Sequence, residues 1–389
     1  MADDVGEARA AWRRYVETLA SIEARITESP EDGYWAGEGL EHLMRQAVCW
    51  SSWEVLHADP TRPFFHRQLD LQTQWGGPNN DNVYRHARIS PKHRYRVRGR
   101  MHSCEDFVLA VRAGFFHNEV WGTKVAVTAS ELGIREGCDF EILLGGDAPG
   151  AIPLAEDVIS CSLREYYVNW RPLEPAVFTL ECLDPTPPAP RLAVEEIVRR
   201  VERARSHILD SMDYWHDYME KHRAEGSDNA FPPTMKVAKG LPMARYENCY
   251  WKLEPEEALI VETSEPDARY WNAQLYLMDV FDLVDRFGRI SSRNLAQTRV
   301  SADGRVRWVL AARDPGVANW LDTGGRPVGL CILRWFWPNS ETGFEPTTRV
   351  VPADELRVHL PDDEPTVTPE ERAAELAARQ EHMRWRFRS

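Results

Sequence analysis

Apolar residues near the N-terminus recur every three or four positions, which is the spacing of one face of an amphipathic helix. The pattern spans residues 5–28 and comprises Ala11, Tyr15, Leu19, Ile22 and Ile26. A Pro-Glu-Asp-Gly break at 30–33 ends it, and a second helical pattern follows over 38–56. The sequence therefore predicts an N-terminal helical hairpin within residues 1–66.

From about residue 68 the pattern changes to short runs that are rich in Val, Ile, Phe, Tyr and Trp and bounded by turn residues. The clearest runs are 95–101, 107–111, 120–128, 140–144, 177–183, 258–263, 271–281 and 328–337. Such runs are typical of antiparallel sheets that form sandwiches or barrels. Because strands and helices do not alternate, a doubly wound nucleotide-binding fold is disfavoured.

One long helical stripe interrupts the strands, running from Ile197 to Met219 and ending before Gly226. The Pro-rich stretch 185–190 precedes it, and a further helix is predicted at about 370–384. We therefore predict an α+β, mainly antiparallel β protein with two jelly-roll or sandwich-like β domains. The predicted regions are a helical hairpin at 1–66, a first β domain at 67–184, a linker and long helix at 185–226, a second β domain at 227–360, and an acidic linker with a C-terminal helix at 361–389.

Composition and charge narrow the function classes. The 389 residues include 47 Lys and Arg against 61 Asp and Glu, a net charge of −14, which disfavours binding to nucleic acid or to an anionic membrane surface. No apolar run approaches the roughly 18 residues of a membrane span, and the acidic N-terminus lacks the features of a signal peptide. Tryptophan is unusually frequent, with 15 residues against 12 Tyr and 13 Phe.

The seven cysteines are widely spaced and form no Cys-x-x-Cys pair, so a zinc ribbon or a disulfide framework is not expected. We interpret them as reduced thiols of a cytoplasmic protein. The sequence also lacks the phosphate-binding, dinucleotide-binding, nucleophile-elbow and zinc-peptidase motifs. No metal and no cofactor is predicted.

The most distinctive stretch is the polar, Gly-rich loop at 74–82, which leads into a strand. Asn79, Asn80 and Asp81 supply several hydrogen-bond donors and acceptors, so the loop could orient a ligand at a barrel mouth. The alternative is an Asx-type turn that caps the strand and binds nothing. In the ligand-binding interpretation Asp81 or His86 is the acid or base, and Tyr84 lies beside them.

Further candidates lie in the C-terminal half. Arg293 or Arg334 could hold an anion, while Trp271 and Trp320 could wall an apolar pocket and Asn319 could offer a hydrogen bond. The alternative for Trp320 is that it fills the bottom of a barrel.

Three sets of residues raise the question of a metal, and a solvated polar face is the alternative for each. The sets are His117 with Glu119, then Asp210 with Asp213 and Asp217, and finally Asp279 with Asp282 and Asp285.

Two of these stretches resemble known families. The run Pro78-Asn79-Asn80-Asp81-Asn82-Val83-Tyr84 is similar to the start of the domain-of-unknown-function family 1254, with Asn82 in place of the more usual Thr. Residues 270–338 resemble the domain-of-unknown-function family 1214 in Tyr-Trp at 270–271, Asp-Pro-Gly at 314–316, Asn-Trp-Leu at 319–321 and Arg-Trp-Phe-Trp-Pro at 334–338. The resemblance implies two jelly-roll β domains with helical additions and no particular chemistry.

The functional prediction is an enzyme that acts on a small, largely apolar metabolite in an aromatic-lined pocket, by hydrolysis, dehydration or isomerisation. A non-catalytic binding or carrier protein for the same ligand class is one alternative. A protein-interaction module is another, and a homo-oligomer remains open.

Overall fold

The structure is a computed structural model, and it describes residues 2–27, 36–69, 73–170, 174–186, 188–232, 241–278, 280–339 and 345–387. The chain divides into two compact units. Unit 1 comprises Met1–Gly76, Asn82–Tyr167 and Glu174–Trp215, and unit 2 comprises Gly77–Asp81, Val168–Leu173 and His216–Ser389. No helix in the described ranges combines the length and apolar character that a membrane crossing requires.

Four α-helices and a 3-10 helix are described: α1 (Ala2–Thr27), α2 (Ala36–Val55), α3 (Val194–Glu225), the 3-10 helix Ala353–His359 and α4 (Pro369–Arg386). The α1 stripe is mostly buried, and the Tyr15 hydroxyl is 2.8 Å from Ser51 Oγ of α2. Helix α4 begins with a capping box, in which Thr368 and Glu371 each bond the other's backbone N–H. The hairpin, long helix and C-terminal helix are thus confirmed.

Unit 1 contains β1 (His66–Arg67), β2 (Asn82–Arg88), β3 (Tyr95–Arg100), β4 (Asp106–Arg112), β5 (Thr123–Thr128), β6 (Asp139–Leu144), β7 (Ser160–Tyr166) and β8 (Val177–Cys182). They form two antiparallel sheets with the orders β1-β2-β7-β4-β5 and β6-β3-β8. The ring of Phe107 on β4 lies 5.3 Å from Phe140 on β6 and 5.4 Å from Phe178 on β8. These aromatic contacts pack one sheet on the other.

Unit 2 contains β9 (Ala244–Lys252), β10 (Glu257–Ser264), β11 (Ala268–Tyr276), β12 (Ser292–Asn294), β13 (Arg305–Ala311), β14 (Trp320–Asp322), β15 (Val328–Pro338) and β16 (Thr347–Pro352). Its sheets have the orders β14-β13-β10-β16 and β12-β11-β15-β9. Only the β13–β14 pair among these is parallel.

The core of unit 2 lies between its two sheets. One sheet contributes Trp251, Trp271 and Trp335, and the other contributes Trp308, all of them nearly fully buried. Gly329 on β15 pairs with Trp251 on β9, and a Cβ at this glycine would lie 2.1 Å from the indole. The tryptophan side chain therefore occupies the space that only glycine leaves open.

The predicted α+β, mainly antiparallel fold class is confirmed. Strands β1, β7, β9, β12, β14 and β16 were not predicted from the sequence, and β11 ends at Tyr276 rather than continuing to residue 281. Strand β7 was not predicted because its sequence, Ser-Cys-Ser-Leu-Arg-Glu-Tyr, contains no apolar run, although most of its side chains are buried. Two of its polar side chains have partners that are distant in sequence: Glu165 pairs with Arg85 at 2.5 Å, and Ser162 Oγ donates to the Ala110 carbonyl oxygen at 3.4 Å.

Candidate functional site

Strand β11 has an apolar face and a polar face, because side chains alternate along a strand. Trp271, Ala273 and Leu275 point into the core between the two sheets of unit 2. The residues between them, Tyr270, Asn272, Gln274 and Tyr276, carry the polar groups of the opposite face. All of these polar residues are buried, so something must satisfy their hydrogen bonds.

The segment Gly77–Asp81 provides most of these partners. Gln274 Nε2 and the Tyr276 hydroxyl donate to the Pro78 carbonyl at 2.7 and 2.5 Å, and the Asn80 N–H donates to Gln274 Oε1 at 2.7 Å. Asn79 donates through Nδ2 to the Tyr270 hydroxyl at 2.8 Å. The loop singled out in the sequence therefore forms a hydrogen-bonded layer on the polar face of β11.

The Asp81 carboxylate is the centre of this layer and is 1% exposed. Oδ1 accepts from Trp170 Nε1 and from Asn294 Nδ2, both at 2.8 Å. Oδ2 accepts from the Tyr270 hydroxyl at 2.5 Å and from Asn272 Nδ2 at 3.2 Å. Burial raises the pKa of Tyr270 well above its ordinary value, and the Asp81 charge adds to this shift. Tyr270 therefore stays protonated and remains a donor to Asp81.

Trp170 joins this layer to helix α4. Its ring stacks on His382 at 4.6 Å with an angle of 3° between the planes. The guanidinium carbons of Arg379 and Arg386 lie 4.4 and 5.1 Å from the ring centre. The indole of Trp170 is thus held at its N–H by Asp81 and at its face by two cations.

A cavity of about 340 Å³ opens beside Trp170, within unit 2. Its charged and aromatic lining consists of Trp170, Arg293, Arg299, Glu371, Glu375 and Arg379. Three arginines face two glutamates, so the ionised lining has a net charge of 3 − 2 = +1. The cavity size is at the lower end of the range for small-molecule pockets.

Arg379 is the unusual member of this lining, because its side chain is buried without an acidic partner. It donates to Ser292 Oγ at 3.1 Å and to the Ser292 carbonyl oxygen, and in the described part of the chain it forms no ion pair. Burial lowers the pKa of Arg379 to about 10, against the opposing effect of the Glu375 charge. At neutral pH the guanidinium is therefore a buried cation with unused donors.

Arg293 differs from Arg379 because it has a partner. It lies 2.6 Å from Glu375 and also donates to the Trp320 carbonyl oxygen at 2.9 Å. Burial raises the pKa of Glu375, but the charge and hydrogen bond of Arg293 outweigh it and the net pKa is lowered. Glu375 also pairs with Arg372 at 2.7 Å, so it is ionised at neutral pH.

The other C-terminal candidates occupy separate places. Arg334 lies on the polar side of β15 and donates to the Tyr276 hydroxyl, whereas Trp271 is a core residue. Asn319 bonds the backbone of residue 299 in both directions, at 2.8 and 2.7 Å. Trp320 donates from Nε1 to the Ala311 carbonyl at 3.0 Å and has Arg372 over its ring.

Tyr84 and His86 belong to unit 1, and their described contacts lie within it. The Tyr84 hydroxyl donates to Asn82 Oδ1 at 3.4 Å. His86 pairs with His66 across β2 and β1, and its carbonyl oxygen is 3.0 Å from His66 Nδ1. Burial holds the pKa of His86 well below its ordinary value, so this imidazole is neutral.

The three metal candidate sets from the sequence do not form three-ligand clusters among the described residues, and Asp279 lies outside those residues. His117 Nε2 lies 2.8 Å from His207 Nδ1. Asp213 pairs with Arg25 at 2.8 Å, and Asp285 accepts backbone N–H bonds from residues 287 and 288.

Trp170 and the arginines of α4 are site residues that the sequence analysis missed. A usable signal exists in Arg372, Arg379 and Arg386, which recur every seven residues and therefore lie on one face of the helix. All three are buried. A buried stripe of arginines is not expected on a solvated surface helix.

Comparison with known proteins gives a structural likeness. No family model matches the chain, so the resemblance to families 1254 and 1214 stays a prediction, and no curated protein matches either. A crystal structure of an uncharacterised protein from Burkholderia cenocepacia matches with a TM-score of 0.81 and 26% identity, over 88% of this chain and 97% of that one. A protein from Vibrio parahaemolyticus matches at 12% identity over 87% of this chain and 100% of that one, with a TM-score of 0.47 that is too low to indicate a shared fold.

Proposed function

We propose that this protein binds a small organic anion in the cavity beside Trp170. The observation that carries the proposal is Arg379, a buried guanidinium on the cavity wall that has no acidic partner among the described residues. An uncompensated buried charge is costly, and a bound carboxylate or phosphate would pair with it.

The rest of the lining supports the same ligand class. The indole of Trp170 offers an apolar wall beside the charge, which suits an anion with an apolar or aromatic body. Arg293 is already paired with Glu375 and Arg299 is exposed to solvent, so Arg379 is the buried cation available to a ligand. The proposal keeps the predicted small, largely apolar molecule and adds an acidic group to it.

We favour binding over catalysis. All four hydrogen bonds that Asp81 accepts come from neutral donors that are themselves buried, so the carboxylate has no access to a substrate. Glu375 is kept ionised by two arginines and would be a weak base. The predicted hydrolysis, dehydration or isomerisation therefore lacks a poised acid or base in this cavity, and we assign Asp81 to positioning Trp170.

A thermal-shift screen with small aromatic carboxylates, aliphatic carboxylates and inorganic phosphate tests the proposal. We expect at least one of these anions to raise the Tm of the wild-type chain and to bind in calorimetry. Arg379→Met, which keeps the apolar stem and removes the charge, should weaken that anion at least tenfold, about 1.4 kcal/mol. The corresponding neutral amide should bind the two proteins equally.

Arg313→Met is the matched control, because Arg313 is an exposed arginine of unit 2 outside the cavity lining. It should bind the anion as the wild type does. The proposal is wrong if no anion in the screen distinguishes the wild type from Arg379→Met.

We also propose a cytoplasmic location. All seven cysteines are free and five of them are buried, which suits a reducing compartment. Labelling of free thiols in protein taken directly from its native cells would test this.

A further inference from the structure

Three potential metal ligands meet in unit 1. One ligand atom each from His93, Cys182 and Asp184 lies within 4.8 Å of the other two. His93 Nδ1 is 3.3 Å from Asp184 Oδ2. Among the described residues this is the group of His, Cys, Asp or Glu side chains that is compact enough to hold an ion.

The pairing of β3 with β8 brings these residues together. Tyr95 pairs with Cys182, and the Leu183 N–H donates to the Arg94 carbonyl at 2.8 Å, so the ladder continues past the strand ends. This register sets His93 opposite Asp184. Because side chains alternate, Cys182 and Asp184 lie on the same face as His93.

We propose that His93, Cys182 and Asp184 form a binding site for a zinc-like divalent cation. Imidazole nitrogen, thiolate sulfur and carboxylate oxygen are the donors that Zn²⁺ accepts, at about 2.0 to 2.3 Å from the metal. In a tetrahedral site such ligand atoms lie roughly 3.3 to 3.7 Å from each other, and the observed 3.3 Å between Nδ1 and Oδ2 fits this spacing. The three side chains leave a fourth position for water.

The surroundings orient the carboxylate as a ligand. Arg94 donates from Nε and Nη2 to Asp184 Oδ1 at 3.0 and 2.8 Å, and its backbone N–H donates to Oδ2 at 3.1 Å. These bonds hold the carboxylate with Oδ2 towards His93, and they lower the pKa of Asp184. Outer-shell contacts of this kind keep a ligand in place before the metal arrives.

The site is also open to an ion from solution. The His93 and Asp184 side chains are 27% and 22% exposed, and Cys182 is partly exposed. Apart from Cys138, which is exposed, the remaining cysteines are buried, so Cys182 is one of two thiols that a metal can reach.

Cobalt titration of the full chain, after removal of metals with a chelator, tests the site. We expect one Co²⁺ per chain, with the intense absorption that a cobalt–thiolate bond produces, and we expect Zn²⁺ to displace it. Cys182→Ser should abolish the thiolate absorption, and Cys138→Ser should retain it in full. Asp184→Asn should weaken Co²⁺ binding at least tenfold.

His93→Gln provides a second variant with the same readouts, and circular dichroism of each variant confirms that it is folded. The proposal fails if a folded Cys182→Ser protein keeps the thiolate absorption, or if the wild-type chain develops none with Co²⁺ in excess. Because these ligands all belong to unit 1, the result is independent of anion binding by Arg379 in unit 2.

Discussion

Substitution of Asp81 by Asn tests whether its carboxylate holds the polar layer of unit 2 together. An amide has the same shape, but it replaces one acceptor oxygen with a donor. If the amide nitrogen takes the place of Oδ1, it faces the N–H groups of Trp170 and Asn294. The Trp170 indole can only donate, and the Asn294 carboxamide cannot turn round without losing another hydrogen bond. If it takes the place of Oδ2, it faces Tyr270, whose hydroxyl can rotate to accept.

The second orientation is therefore the better one, and its cost can be estimated. The Asn272 donor loses its bond to this oxygen, and the two bonds to Oδ1 lose their charge assistance. Hydrogen bonds to a charged group are worth about 1.5–3 kcal/mol each and neutral ones about 0.5–1.5 kcal/mol. The lost bond costs about 1.5–3 kcal/mol and the two weakened bonds about 1–1.5 kcal/mol each, so the destabilisation is roughly 3.5–6 kcal/mol.

Urea unfolding at neutral pH, followed by tryptophan fluorescence, measures this loss of stability. We expect Asp81→Asn to lower the urea midpoint of the transition in which unit 2 unfolds. Asp363→Asn, at an exposed acidic residue of the same unit, is the control and should lie within about 0.5 kcal/mol of the wild type. An Asp81→Asn protein that is as stable as this control would refute the argument that the carboxylate is the centre of the layer.

Two further predictions concern packing and protons. Gly329→Ala places a methyl group against Trp251 and should lower the free energy of unfolding in urea by about 1–3 kcal/mol. A variant as stable as the wild type would show that the indole can move aside at no cost. Burial lowers the pKa of His57 to about 3, so below pH 6.5 this histidine is protonated in the unfolded chain but not in the folded one. Its contribution therefore destabilises unit 1 as the pH falls. His57→Phe should therefore flatten the dependence of stability on pH between 6 and 4, by up to about 1.4 kcal/mol per pH unit, and an unchanged slope would contradict the shifted pKa.

Local patterns in the sequence predicted the helices and most strands well. The spacing in α1 and the apolar run of β4 depend on residues a few positions apart, which a sequence displays directly. Strand β9 was missed because its apolar residues are mixed with Asn and Glu, and its place is fixed by pairing with β15, about eighty residues later. Such non-local pairing is not visible in a short window.

The candidate site was predicted in part. The Asn-rich loop was singled out for its density of donors and acceptors, and that density is what the polar face of β11 requires. Its alternative interpretation as a turn is visible as well, since the Asp81 N–H donates to Asn79 Oδ1 at 3.0 Å. The cavity itself was not predicted, because Trp170 and Arg379 are separated from the loop by about 90 and 300 residues.

The proposed anion binding is consistent with the separate surroundings of Asp81 and Arg379. Both groups are buried in unit 2, and a direct ion pair between them would satisfy each charge. Instead, Asp81 is surrounded by neutral donors, and Arg379 bonds Ser292, which also accepts from Asn80. Because neutral groups stabilise the carboxylate, the guanidinium keeps its charge and its unused donors on the cavity wall. An anion that enters the cavity therefore meets a cation that is already positioned, and binding needs no ion pair to be broken first.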